Sequence, residues 1–134
     1  MTGITQLIGR IMLALIFILA GIGKIKDPAG TIGYIQSVGL PGLLVWPTIV
    51  LELLGGIALV VGYKTRLVAF VLAGFCLLAA ALFHTNFADQ MQMILFLKNI
   101  AIAGGLMLLA VGGSTAYSMD NRRTTTDFFG TRQG

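Results

Sequence analysis

Charge is scarce in this sequence. Asp, Glu, Lys and Arg make up 10% of its 134 residues, against about 25% in a soluble domain, too few to cover a surface facing water. Apolar residues make up 57% and mean hydropathy is +0.93, so the composition predicts an integral membrane protein, and the length allows one small domain. The net charge of +4 comes from loops and a polar tail, and reads as an orientation signal and contact with lipid head groups. No basic stripe interleaves with aromatics, which argues against nucleic acid as a partner.

Cysteine and histidine are nearly absent as well. Cys76 is the sole cysteine, so a disulfide within the chain is excluded, and no zinc or iron–sulfur site can be built on thiolates. Within an apolar run it is expected to behave as a small buried apolar residue. His84 is the sole histidine, which excludes bis-histidine haem ligation within one chain, and there is no Cys-x-x-Cys-His motif. No metal site is expected. If the protein takes part in redox chemistry, it carries no obvious redox centre of its own.

What the sequence has in abundance is long apolar runs, over residues 4–23, 43–62, 67–84 and 91–112. Crossing a hydrocarbon core of about 30 Å takes about 20 helical residues. Barrel strands alternate apolar and polar over about 10 residues, whereas these runs are about twice as long and apolar on every side. Only helices or closed barrels satisfy backbone polar groups in lipid, so the predicted fold is all-α, an antiparallel bundle of four transmembrane helices. A signal peptide is the competing reading of the first run. It is disfavoured because the stretch before Arg10 carries no basic side chain and three further runs follow. The bundle is expected over residues 1–113, with a polar tail over 114–134 that lacks an apolar period and whose end is expected to be disordered.

Between the first two runs, Asp27 suits a helix N-cap, Pro28 the first helical position and Gly39 the position after the last turn. Ile32, Ile35 and Val38 recur every three residues, which predicts a short helix in the membrane interface. Trp46 sits where an aromatic belt residue would. The short turn at Tyr63-Lys-Thr-Arg66 predicts a hairpin of the second and third spans. Arg10, Lys64, Arg66, Arg122, Arg123 and Arg132 fall on one side of the bundle, and Lys24, Lys26 and Lys98 on the other. The positive-inside rule then places both termini in the cytoplasm, with Arg10 marking the cytoplasmic boundary.

The second run carries a carboxylate, Glu52, in its middle, and the fourth an ammonium, Lys98. A charge at the centre of a span costs about 2.5–3.5 kcal/mol on insertion scales, so each needs an answer. Glu52 lies nine residues from the outer end of its run and Lys98 seven from the outer end of its own, depths that differ by about 3 Å. Glu52 shares a helix face with Gly55 and Gly56, Lys98 with Ala101 and Gly105, and His84 with Ala73, Ala80 and Ala81. Small residues let membrane helices approach closely, so all three point to packed faces. The expected arrangement is a polar cluster of Glu52, Lys98, Asn99, His84 and Lys24 in the outer half of the bundle, with Glu52 and Lys98 as its ion pair. Each member also has a plain structural reading. The pair would fix helix register, Lys24 would snorkel to the interface, and His84 would cap the third helix. The functional reading is a small polar pocket that binds a quinone head group, carries a proton or holds a small polar solute.

Taken in order, Ala20-Gly-Ile-Gly-Lys24, Glu52-Leu-Leu-Gly-Gly56 leading to Gly62, Thr65-Arg66, Phe83-His84, Phe96-Leu-Lys-Asn99, Gly104-Gly105 and Tyr117-Ser-Met-Asp120 resemble the DoxX family of small bacterial membrane proteins, over about residues 9–120. No single motif is specific; the ordered set is. The resemblance implies a four-helix bundle of the inner (plasma) membrane in contact with lipid. The family takes its name from a subunit of a thiosulfate:quinone oxidoreductase, and other members are linked to redox assemblies, which implies redox partner subunits and a quinone. No partner domain is fused to this chain and it carries no cofactor motif or autonomous catalytic motif, which leaves it at most the role of a subunit of an oxidoreductase. Two functions follow: a membrane subunit of a quinone-linked redox system, or a non-enzymatic scaffold or small-solute binding bundle. A channel or transporter is a weaker third, because four short helices leave little room for a pathway.

Overall fold

A computed structural model describes residues 2–112 and Ser118; the rest of the tail expected over 114–134 lies outside the described residues. Helix α1 spans Thr2–Lys26, α2 Pro28–Ser37, α3 Val45–Val61, α4 Thr65–Phe83 and α5 Gln90–Gly112. A 3-10 turn at Gly42–Leu44 leads directly into α3. Among the described residues there is no strand. Four helical segments are long and apolar enough to cross a membrane: Gly3–Lys26, Gly42–Val61, Thr65–Phe83 and Gln90–Gly112. At 1.5 Å per residue, each covers about 30 Å.

The outer surface of the bundle fits a bilayer. Leu108 and Val111 are each 78% exposed, and Phe70, Met12 and Leu54 are exposed nearly as far. Contiguous apolar surface of this kind would drive aggregation in water, and hydrocarbon is its natural surrounding. The buried core is made of small and medium side chains, with Ala14, Leu59, Ala69, Leu72, Ala103 and Leu106 at its centre. A smaller cluster of Ile35, Val45 and Ile49 joins α2 to the start of α3.

Helix α2 forms at the predicted place and for the predicted reasons. The Asp27 carboxylate accepts from the Gly30 amide at 3.2 Å, and Pro28 stands in the first turn. Gly39, at φ +83°, ends the helix, and the Leu40 amide reaches back to the Ile35 carbonyl. A left-handed residue of this sort is cheapest as glycine.

Two features depart from expectation. The first span does not stop at Gly23 but continues to Lys26, which puts Lys24 inside a helix rather than at its end. The short turn between α3 and α4, where Gly62 (φ +74°) and Lys64 (φ +47°) are left-handed, makes the expected hairpin, but the two helices are not each other's main partners. Instead α1 packs chiefly on α3, and α4 on α5. Both pairs are antiparallel. Arg10, early in α1, donates from Nη2 to the Val60 carbonyl late in α3 at 3.2 Å, while Lys24, late in α1, meets Glu52 early in α3. Arg10 is thus a buried packing residue, 1% exposed, and not a simple boundary marker. Its guanidinium answers the Val60 carbonyl near the α3 C-terminus, the negative end of the helix dipole.

Candidate functional site

The close approach of α1 and α3 sets up the site. A Cβ added at Gly21 would stand 2.7 Å from Leu53 Cγ, and one added at Gly56 2.6 Å from Ile18 Cγ1 and 3.2 Å from the Ala14 carbonyl oxygen. Lys24 lies one helical turn beyond Gly21 on the same face of α1, and Glu52 one turn before Gly56 on α3. Backbones that touch at these two glycines therefore bring the two charges together. Lys24 Nζ lies 2.7 Å from Glu52 Oε1, a charge-assisted contact. Glu52 is buried.

This corrects the expected pairing. Glu52 is answered by Lys24 and not by Lys98, and Lys24 turns inward instead of snorkelling. Equal depth along two spans makes Glu52 and Lys98 neighbours in height, but the α1–α3 contact decides which ammonium arrives first.

A cavity of about 560 Å³ opens beside the pair, lined from all five helices. Lys24, Glu52, His84, Lys98 and Asn99 all line it, so the five residues singled out in the sequence share one space. Glu52 and Lys24 face it from α3 and α1, and Lys98 and Asn99 from α5. His84 closes the end of α4, its amide bonded to the Ala80 carbonyl. The remainder of the wall is mainly apolar, including Phe17, Ile35, Phe75 and Leu82.

Residues that sequence reasoning passed over also take part. Tyr34 of α2 lines the cavity, with its ring centroid 5.4 Å from that of Phe83. Gln92, in the first turn of α5, links the two sides. Its Nε2 donates to the Tyr34 hydroxyl at 3.2 Å, and its Oε1 lies 3.1 Å from His84 Nδ1. A chain of three polar side chains thus ties α2 to α4 and α5 beside the cavity. Tyr34 stands next to the apolar stripe of α2 and Gln92 at the start of a span. Their polarity was visible in the sequence, but nothing there showed that they meet. Cys76 is buried, as expected, and lines the cavity too. Among the described residues, no group of three or more His, Cys, Asp or Glu is placed to hold a metal ion.

The arrangement can hold a small molecule with a polar head and an apolar body. Donors come from Lys98, Asn99 and His84, and the ion pair supplies fixed charge within the thickness of the membrane. Pockets of this kind, mostly apolar with a few convergent polar groups, are the usual form of small-molecule sites, at about 300–1,000 Å³.

The chain is similar to known proteins along most of its length. It is 46% identical over 114 residues to the inner membrane protein YqjF of Escherichia coli (strain K12), covering 85% of this chain and 88% of that one. It is 37% identical over 123 residues to the inner membrane protein YphA of the same organism, covering 87% and 88%. A shorter match, 33% identical over 70 residues and 52% of each chain, is to CatD of Bacillus subtilis (strain 168), whose name assigns it provisionally to the oxidoreductases. No solved structure matches the chain. The DoxX family profile matches residues 5–85, the stretch that holds α1 to α4 and with them the Lys24–Glu52 pair. With four membrane-spanning helices and relatives named as inner membrane proteins, the chain belongs to the DoxX family of integral membrane proteins.

Proposed function

We propose that this protein is the membrane subunit of a quinone-linked redox system, and that the cavity beside Lys24 and Glu52 receives the quinone head group. The observation that carries this reading is the composition of the cavity wall: charged and amide side chains converge in an otherwise apolar space of about 560 Å³ inside the bundle. A quinone has the matching form, two carbonyl acceptors on a ring with an apolar tail. Lys98, Asn99 and His84 are the donors that would hold and orient those carbonyls. Glu52, fixed by Lys24, keeps a carboxylate next to the head group, placed to hold or pass a proton. The apolar wall, with Phe17 and Leu82, would seat the ring and keep water out. A bound quinone supplies two-electron carrier chemistry, and this reading assigns the electron donor to a partner subunit. The provisional oxidoreductase name of CatD leans the same way.

The test is to purify the protein from native membranes in lipid discs and identify the small molecules extracted with it by mass spectrometry, beside a Glu52→Gln control. Isoprenoid quinone retained by the wild type and depleted in the control is the expected result. Bulk lipid alone in both samples would remove the quinone reading. It would favour the scaffold reading, for which the specific observation is the same ion pair acting only to lock α1 against α3.

A further inference from the structure

The charges that line the cavity do not balance. Two ammoniums, Lys24 and Lys98, face one carboxylate, Glu52, and Glu52 is already paired with Lys24. The other acidic side chains among the described residues are engaged at helix starts: Asp27 accepts from the Gly30 amide and Asp89 from the Met91 amide. Among the described residues, no acidic side chain forms an ion pair with Lys98. His84 is held by Gln92.

Snorkelling does not resolve the position of Lys98. It stands eight residues into α5 from Gln90, about 12 Å along the axis, and a four-carbon stem recovers about half of that. An ammonium at this depth is costly unless something of opposite charge answers it. Lys98 lines the cavity and is at the same time exposed on the bundle surface, with Asn99, half-buried, next to it in the sequence and also in the wall.

We propose that Lys98 is the counter-ion for the ligand itself: the cavity recognises a single-tailed amphiphile whose head bears one ionised oxygen. The inference rests on the reading of this cavity as a head-group site and sharpens its substrate class. An ionised hydroxyquinone and a fatty-acid carboxylate share this chemistry. In either case the anionic oxygen meets Lys98, the Asn99 amide donates beside it, and the tail follows the apolar wall.

The experiment measures binding to the protein in lipid discs at mildly alkaline pH, with empty discs subtracted. Three probes are used: a 2-hydroxy-3-alkyl-1,4-naphthoquinone, which is ionised there, its neutral O-methyl ether, and dodecanoate. The expected result is a preference of about tenfold or more for the hydroxyquinone over its ether. Lys98→Met should abolish the preference by lowering the hydroxyquinone's affinity about tenfold more than the ether's, and the variant's circular dichroism and elution volume in size-exclusion chromatography, matched to the wild type, show that it folds. Lys98→Arg should retain it. Equal binding of both quinones by the wild type, or a preference that survives Lys98→Met, would overturn the inference and leave the quinone reading standing. Dodecanoate binding that depends on Lys98 with no binding of either quinone would support the inference and remove the quinone reading. If no anionic probe binds, the inference falls.

Discussion

Lys24 keeps 23% of its side-chain surface exposed while its partner Glu52 keeps 3%, and the difference sets what each substitution should do. Lys24→Met leaves a buried carboxylate without its counter-ion, and breaking a buried pair from one side typically costs about 3–5 kcal/mol. Glu52→Gln leaves an ammonium two residues from the end of α1 that can reach toward the interface, so its cost should be nearer the loss of one charged hydrogen bond, about 1.5–3 kcal/mol. The double change should cost less than the sum of the singles, with a coupling of about 0.5–3 kcal/mol. Thermal unfolding in detergent, followed by circular dichroism, checks this; additive losses would show that the two side chains do not act as a pair. That Lys24, Glu52, His84, Lys98 and Asn99 share one space was legible in the sequence because polar groups are so rare in the spans and these lie toward one end of the bundle, whereas the parts of Tyr34 and Gln92 were not. Nor was the pairing of Glu52. Helices that are apolar all round give no periodicity to say which neighbour each one faces, and the deciding contacts run through Gly21 and Gly56, which carry no side chain to read.

At the level of the helices, close packing and open surface make opposite demands on glycine. Gly56 stands against α1, where an added methyl group would meet the Ala14 carbonyl at 3.2 Å as well as the Ile18 side chain. The backbone atom cannot rotate away. Gly56→Ala should force α1 from α3 and destabilise the bundle by about 1–3 kcal/mol, the usual cost of overpacking. It should also pull Lys24 off Glu52. Gly104 of α5 has nothing within 4 Å of the position such a methyl group would take. Gly104→Ala should therefore be neutral, or stabilising by up to about 1 kcal/mol through helix propensity. The two variants compared in one unfolding series test the packing directly. If Gly104→Ala proves the more damaging, α5 carries a contact on that face that the isolated chain does not make. The helix spans themselves, like α2, were readable from run length and from the Asp27-Pro28 and Gly39 signals, because those signals act within a few residues. The extension of α1 to Lys26 was hidden by Lys24, whose charge looks like the end of a span until Glu52 is seen to answer it.

For the whole molecule, the open question with a physical answer is which way the bundle sits in the membrane. The structure changes the weight of each basic residue in the positive-inside count. Lys24 is neutralised by Glu52, Lys98 lies within α5, and Arg10 is buried against the end of α3. None of the three is a free flanking charge. What remains at the end of the bundle that carries α2 is Lys26, close to Asp27, with Asp89 in the α4–α5 loop. At the other end stand Lys64 and Arg66, both exposed, and the sequence adds Arg122, Arg123 and Arg132 after α5. Only Lys and Arg near the span ends set orientation, so setting aside Lys24, Lys98 and Arg10 strengthens the bias. We expect the start of α1 and the chain after α5 to be cytoplasmic, and α2, with the Tyr34–Gln92–His84 chain beside the cavity, to lie on the far side. A fluorescent protein fused after Gly134 should then fluoresce, and alkaline phosphatase inserted at Ala88 should be active. The reverse pattern would put the α2 end of the cavity in the cytoplasmic leaflet. Under the proposed redox role, an electron-delivering partner would then dock from the cytoplasm, and in the expected orientation from the opposite face.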